Sequence, residues 1–107
     1  MYVVVASESK TLESPLQCVA TVVAKPGSRD LKLWGTGRDD LLPEAADSLV
    51  KYLYEHAAAG IPIVTFNGTG FTFKKLSSIT SESDKLGTIA MLNRDIFLDY
   101  VRRMPWG

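Results

Sequence analysis

The stretch Pro62-Ile63-Val64-Thr65-Phe66-Asn67-Gly68-Thr69-Gly70-Phe71-Thr72-Phe73-Lys74-Lys75-Leu76 decides the fold. Its first part, taken with Ile61, is a short continuous apolar run, the pattern of a strand buried on both faces. Asn67-Gly68-Thr69-Gly70 is a tight turn, and residues 71–78 open a short helix. The clearest helix of the chain lies just upstream. Asp40 suits an N-cap, Pro43 and Glu44 suit a first turn, and Leu42, Ala46, Leu49, Val50, Leu53 and Ala57 fall on one stripe. Gly60 ends that helix and Pro62 prevents its continuation. A helix feeding a buried strand implies a right-handed crossover onto a parallel neighbour.

Towards the N-terminus the chain reads as strands. Residues 2–6 are a β-branched run, residues 7–14 are polar, and residues 16–24 are rich in valine and threonine. Lys25-Pro26-Gly27-Ser28 is a strong turn signal, after which residues 30–34 alternate polar and apolar. These strands, joined by short connections, predict an antiparallel three-stranded meander. Towards the C-terminus, Leu86, Ile89, Ala90, Phe97, Tyr100 and Val101 recur at helical spacing between residues 83 and 103, with a break near Asn93. The predicted order is β-β-β-α-β-α-α: an α/β fold with a meander, a parallel strand beside it and flanking helices.

Composition narrows the classes. The chain has 107 residues, 12 basic and 12 acidic, so charge balance carries no argument for a nucleic acid, membrane or acidic partner. Hydrophobic residues at 46% exclude a disordered chain. One cysteine, Cys18, cannot form an internal disulfide, and one histidine, His56, cannot complete a zinc site with it. The apolar start meets Glu8 and Lys10 early and lacks a basic leader, which is not a signal peptide. The apolar runs fall short of the roughly 20 residues that span a bilayer. The expectation is a soluble cytoplasmic protein without a membrane association.

At this point the motifs resemble those of the DnaQ-like 3′–5′ exonucleases, a family of the ribonuclease H-like superfamily. Val3-Val4-Val5-Ala6-Ser7-Glu8-Ser9-Lys10-Thr11 is similar to their first motif, a strand ending in Asp-x-Glu and followed by threonine. The stretch from Pro62 to Leu76 is similar to their second, an apolar strand, an asparagine, three residues and Phe-Asp opening a helix. Asp95-Ile96-Phe97 resembles a segment that follows the second motif in some members. The resemblance implies a ribonuclease H-like fold, Glu8 as catalytic residue and metal ligand, and Asn67, Phe71, Lys10 and Thr72 as substrate contacts.

The chemistry of that family explains its residues. Its carboxylates gather at the strand ends and hold two divalent ions about 4 Å apart, one activating water and one stabilising the leaving oxygen. Mg²⁺ or Mn²⁺ demands oxygen ligands, and neutral ones are poor substitutes for carboxylates. Here Ala6 stands at the first aspartate and Thr72 at that of the second motif. The third motif, with a further strand and helix, would lie beyond Gly107, so residues 1–107 read as a single, C-terminally shortened domain. Of the expected ligands only Glu8 remains, and metal is expected only if the site is completed elsewhere.

The implied function is therefore a degenerate exonuclease-like module that binds single-stranded nucleic acid or a protein partner without cutting. An active metal-dependent exonuclease completed outside the chain, and an assembly protein or homo-oligomer using the C-terminal edge, are the alternatives. The remaining signals read structurally. His56 is a solvated residue near a helix C-terminus, Cys18 a small buried hydrophobe, and Trp34 and Trp106 packing residues. Residues 1–60 carry six basic and eight acidic side chains and residues 61–107 six and four, a difference too small to mark a basic face.

Overall fold

The computed structural model describes residues 1–66 and 71–95. Eight elements follow one another: β1 Tyr2–Ser9, β2 Leu16–Lys25, β3 Ser28–Trp34, α1 Pro43–Ala58, β4 Ile63–Thr65, α2 Phe73–Ser77, α3 Ser83–Leu92 and β5 Arg94–Asp95. The strands form one mixed five-stranded sheet in the order β3-β2-β1-β4-β5. The meander is antiparallel, while β1 pairs in parallel with β4 and β4 with β5. The crossover through α1 thus lands β4 beside β1, as the helix-then-strand pattern predicts.

The helices all cover one face. Val3 and Val5 of β1, Leu16, Val19 and Val23 of β2, and Ile63 of β4 turn inward against Ala46, Leu49, Val50 and Leu53 of α1. Phe73 and Leu76 of α2 and Leu86 and Ile89 of α3 complete the core. Strand residues of the other parity point away from the helices. On that side Val64 is only half-buried and Phe66 exposed, so β4 is covered on one face and not on two.

Two boundaries differ from the pattern-based expectation. The first helix begins at Pro43, with Leu42 extended in the cap position and no side-chain cap bond, so Asp40 does not cap it. Proline at the first position has no N–H to leave unpaired, and its fixed φ starts the helix there. The helical spacing that runs from residue 83 stops at Leu92. Asn93 turns extended, its amide donates to the Ala90 carbonyl at 2.9 Å, and its side-chain oxygen accepts from Thr65 Oγ1 at 2.6 Å. That tie to β4 sets the next residues alongside it as β5. The sheet thus gains a fifth strand that the predicted order lacks, while residues 96–103 of the expected helix lie outside the described residues.

The connection from β3 to α1 is held tightly against β2. Gly35 has φ +90°, and a Cβ there would stand 2.4 Å from the Gln17 carbonyl oxygen and 2.8 Å from Leu41 Cδ1. Gln17 Nε2 donates to the Arg38 carbonyl at 3.0 Å, and the Leu41 N–H donates to that of Leu16 at 2.7 Å. Only glycine fits so close an approach in that conformation.

Candidate functional site

The carboxyl ends of parallel strands are where open α/β sheets place their ligands. In this chain that edge is made by the end of β1, the β1–β2 loop and the entry to α2. Along β1 the inward positions are Val3, Val5, Ser7 and Ser9, whereas Tyr2, Val4, Ala6 and Glu8 are exposed on the outer face. Strand pleating fixes this alternation.

The two motif-like segments meet here. Ser7 Oγ and Thr72 Oγ1, 65 residues apart in sequence, share a hydrogen bond of 2.7 Å. Thr72 is buried and enters α2, while Phe71 beside it is half-buried. Around this pair the loop is bonded to itself. Ser9 Oγ donates to the Thr11 carbonyl at 2.7 Å, and Thr11 Oγ1 and Ser14 Oγ are 2.7 Å apart. The Lys75 ammonium donates to the Ser14 carbonyl and lies 4.7 Å above the Phe71 ring, fastening the loop to α2.

The residues expected at the site are therefore divided. Thr72 and Phe71 stand at this edge, but Glu8 does not share their side of the sheet. It is exposed on the outer face opposite Cys18 of β2. Lys10 is exposed in the loop. Asn67 lies outside the described residues. The residue that meets Thr72 is Ser7, which the motif comparison passed over because it matched glutamate with glutamate. Asp95 is inward and buried, in register with Thr65, which is itself in register with Val5. With β4 between them, β5 stands roughly 10 Å from β1, and Asp95 is on the face opposite to Glu8.

Neutral hydroxyls at Ser7, Ser9 and Thr72 can exchange hydrogen bonds but are weak ligands for a hard divalent cation. Among the described residues, no group of three or more histidine, cysteine, aspartate or glutamate side chains is gathered to hold a metal ion. Among the described residues Ser7 is bonded to Thr72 and not to a base. His56 sits at the far end of α1, with Nδ1 2.8 Å from the Tyr52 carbonyl oxygen and its ring 4.5 Å from that of Tyr52. It is half-buried against that ring and not fully solvated. Tyr52 also packs on Trp34 and lies under Lys32. Burial, and secondarily the charge of Asp30, pushes its phenol above the usual tyrosine range.

The remaining polar cluster is a clasp between helices. Asp47 of α1 accepts from Thr80 Oγ1 at 2.6 Å, the Ser81 N–H at 2.8 Å and Ser81 Oγ at 2.8 Å. These bonds, led by that of Thr80, hold its carboxyl below the usual range. Next to it, Glu82 pairs with Lys85 at 2.9 Å and Lys51 at 3.4 Å. The cluster fixes the start of α3 on α1 and presents its charges to solvent, where such pairs add little stability.

No helix among the described residues is long and apolar enough to cross a membrane. Comparison with protein-family models, curated proteins and solved structures finds no match to this chain.

Proposed function

We propose that this chain is a degenerate 3′–5′ exonuclease-like module of the ribonuclease H-like type, which acts by binding and does not cleave. The observation that carries the proposal is the Ser7–Thr72 hydrogen bond. It joins the two segments that resemble the family motifs, at the carboxyl edge where such a site belongs, and it does so with hydroxyls where hydrolysis needs carboxylates. The strand order β3-β2-β1-β4-β5, with its antiparallel and parallel halves, supports the same assignment.

Two-metal hydrolysis depends on anionic oxygens that bridge and neutralise the ions. With Ser7 and Thr72 facing one another and Glu8 turned outward, the inward side supplies none of the three carboxylates that the two motifs would contribute. Each loss of about 1.4 kcal/mol in transition-state stabilisation is tenfold in rate, so the loss of all of them removes useful turnover. Protein is the partner class this surface supports better than single-stranded nucleic acid. On one face of the Phe71 ring a base would have to displace the Lys75 ammonium, which the Ser14 carbonyl also holds.

The test is direct. Labelled single-stranded DNA and RNA, incubated with the full chain and millimolar Mg²⁺ or Mn²⁺, should remain intact. Stepwise digestion from the 3′ end that Glu8→Gln abolishes would overturn the proposal and restore an active nuclease completed outside the chain.

A further inference from the structure

Strand β3 is an edge of the sheet, and among the described residues no strand pairs with its outer side. The bonding pattern identifies the backbone groups left over there. The Val3 N–H donates to the Pro62 carbonyl on the β4 side, so Val3 turns its backbone groups away from β2. Val23, opposite Val3, then turns its own towards Asp30 of β3. Bonding alternates along an antiparallel pair, so Asp30 and Lys32 bond to β2, while Arg29, Leu31 and Leu33 direct N–H and C=O outward. Asp30 and Lys32 carry their side chains on the helix-covered face, in register with the buried Val23 and Thr21, yet both are exposed. Neither is in an ion pair among the described residues.

We propose that β3 pairs antiparallel with β3 of a second copy of the chain, about a two-fold axis at Leu31, so that two sheets become one. Such pairing is independent of the non-cleaving assignment. Register and charge together select this occupant. β3 is bounded by the Pro26-Gly27 turn and by Gly35 at φ +90°, and Leu31 is the middle of its seven residues, Ser28–Trp34. Pairing about Leu31 therefore overlaps the whole strand. It sets Leu31 against the partner's Leu31 and Arg29 against the partner's Leu33, so that outward residues bond to outward residues. It also sets Asp30 against the partner's Lys32, and Lys32 against the partner's Asp30, in the non-bonded positions where facing side chains come closest.

Other registers fail on the same residues. Outward residues must oppose outward residues, so the axis passes through a residue of the strand. At Asp30 or Lys32 it puts a like charge against itself, and at Arg29 or Leu33 it leaves less than half of the strand paired. Charges turned inward on an edge strand ordinarily deter pairing, because an unrelated strand leaves them unmatched. A second copy matches both. Lys32 is already held on this face, its ammonium 4.6 Å from the centroid of the Tyr52 ring. Main-chain bonds, roughly six in this register, supply the affinity of such edge pairing, and side chains supply its selectivity. A strand edge buries less than the roughly 1,200 Å² at which standard interfaces begin. The dimer is accordingly weak, with a dissociation constant on the order of 100 μM.

Sedimentation equilibrium of the full chain from about 10 μM to about 1 mM brackets that constant. Mass should rise towards twice that of the chain and no further. Asp30→Lys sets lysine against the partner's Lys32, and Lys32→Asp sets aspartate against the partner's Asp30. Each should weaken association by about tenfold or more, whereas the variant carrying both substitutions regains opposite charges and should associate like the parent. Leu31→Pro removes an outward N–H that β2 does not use, a position where an edge strand tolerates proline, and should give a monomer. Asp30 and Lys32 are exposed, so the charge series reads association even where proline shifts the melting profile. A chain that stays monomeric up to about 1 mM overturns the proposal and leaves the edge to a strand of another protein. Association that survives the single reversals, or is lost in them and not regained in the double variant, overturns it too, since another surface or register would then hold the copies. So does mass that grows beyond a dimer, which a closed two-fold forbids. None of these outcomes depends on whether the chain cleaves nucleic acid.

Discussion

Replacing Ser7 and Thr72 together by aspartate tests which side of β1 holds the site. Their hydroxyl oxygens are 2.7 Å apart, so two carboxylates built on these positions must face each other at close range. Like charges about 4 Å apart repel by about 4 kcal/mol at an effective dielectric of about 20. Without metal, the double variant should lose stability on that order near neutral pH. The repulsion raises the folded-state pKa of one carboxyl above its unfolded value. The folded state then holds the extra proton, so stability is greatest in acid and falls as pH rises from about 4 through the raised pKa. A divalent cation should remove the repulsion. At 100 times its dissociation constant, binding adds about 2.7 kcal/mol, and in a domain of this size that is on the order of 10–20 °C in Tm. The assay is thermal unfolding with and without millimolar Mn²⁺. Ala6→Asp with Thr72→Asp is the control, because Ala6 points to the outer face and its carboxylate cannot join the one on α2. An equal metal-induced shift in that control, or none in Ser7→Asp with Thr72→Asp, would refute the reasoning.

Asp47→Asn removes a carboxyl held below its ordinary value chiefly by the Thr80 hydroxyl. A depressed folded pKa contributes stability that is present above the unfolded value of about 3.9 and lost as pH falls through the folded one; the variant should therefore show a shallower loss of Tm on acidification below about pH 5, and parallel curves would dismiss the clasp. Gly27→Ala and Gly35→Ala both place a side chain at positive φ, yet a Cβ meets nothing within 4 Å at Gly27 and the Gln17 carbonyl at 2.4 Å at Gly35. Urea titration should give about 1–2 kcal/mol of destabilisation for the first, the ordinary left-handed cost, and clearly more for the second; similar values would mean that the β3–α1 connection is not packed on β2. Leu49→Ala empties a position that is 0% exposed, and a loss of about 3–5 kcal/mol is expected; a loss below about 1 kcal/mol would place Leu49 outside the core.

The elements that local chemistry specifies were legible in the sequence. Lys25-Pro26-Gly27-Ser28 closes the β2–β3 hairpin, with Gly27 at φ +79° where the turn needs it. The stripe of Ala46, Leu49, Val50 and Leu53 is the buried face of α1. Pro62 separates α1 from β4, and its carbonyl accepts from the Val3 N–H at 2.9 Å. What was not legible is set by tertiary contact. Two residues, Arg94 and Asp95, carry no period of their own, and they become a strand because Asn93 is tied to Thr65 and the β4 edge offers hydrogen bonds. Helical spacing resumes past Asn93 in the sequence, so the pattern marks a break there but does not show that the chain turns back to the sheet.

The parity of β1 was hidden for a reason that joins the two faces of the sheet. A strand covered on one side normally alternates apolar and polar, and that alternation says which residues point to the site. Val3-Val4-Val5 is apolar at both parities, and so is Val22-Val23 beside it on β2. The inner set is apolar because α1, α2 and α3 pack on it. The outer set has no such cover among the described helices, yet it is apolar as well. Where both faces are apolar, a one-residue slip in matching a motif changes nothing in the hydrophobic pattern, yet it moves every side chain to the opposite face. Glu8 shows the consequence: its residue type agrees with a family glutamate, but it stands on the outer face, and the inward position that meets Thr72 is Ser7.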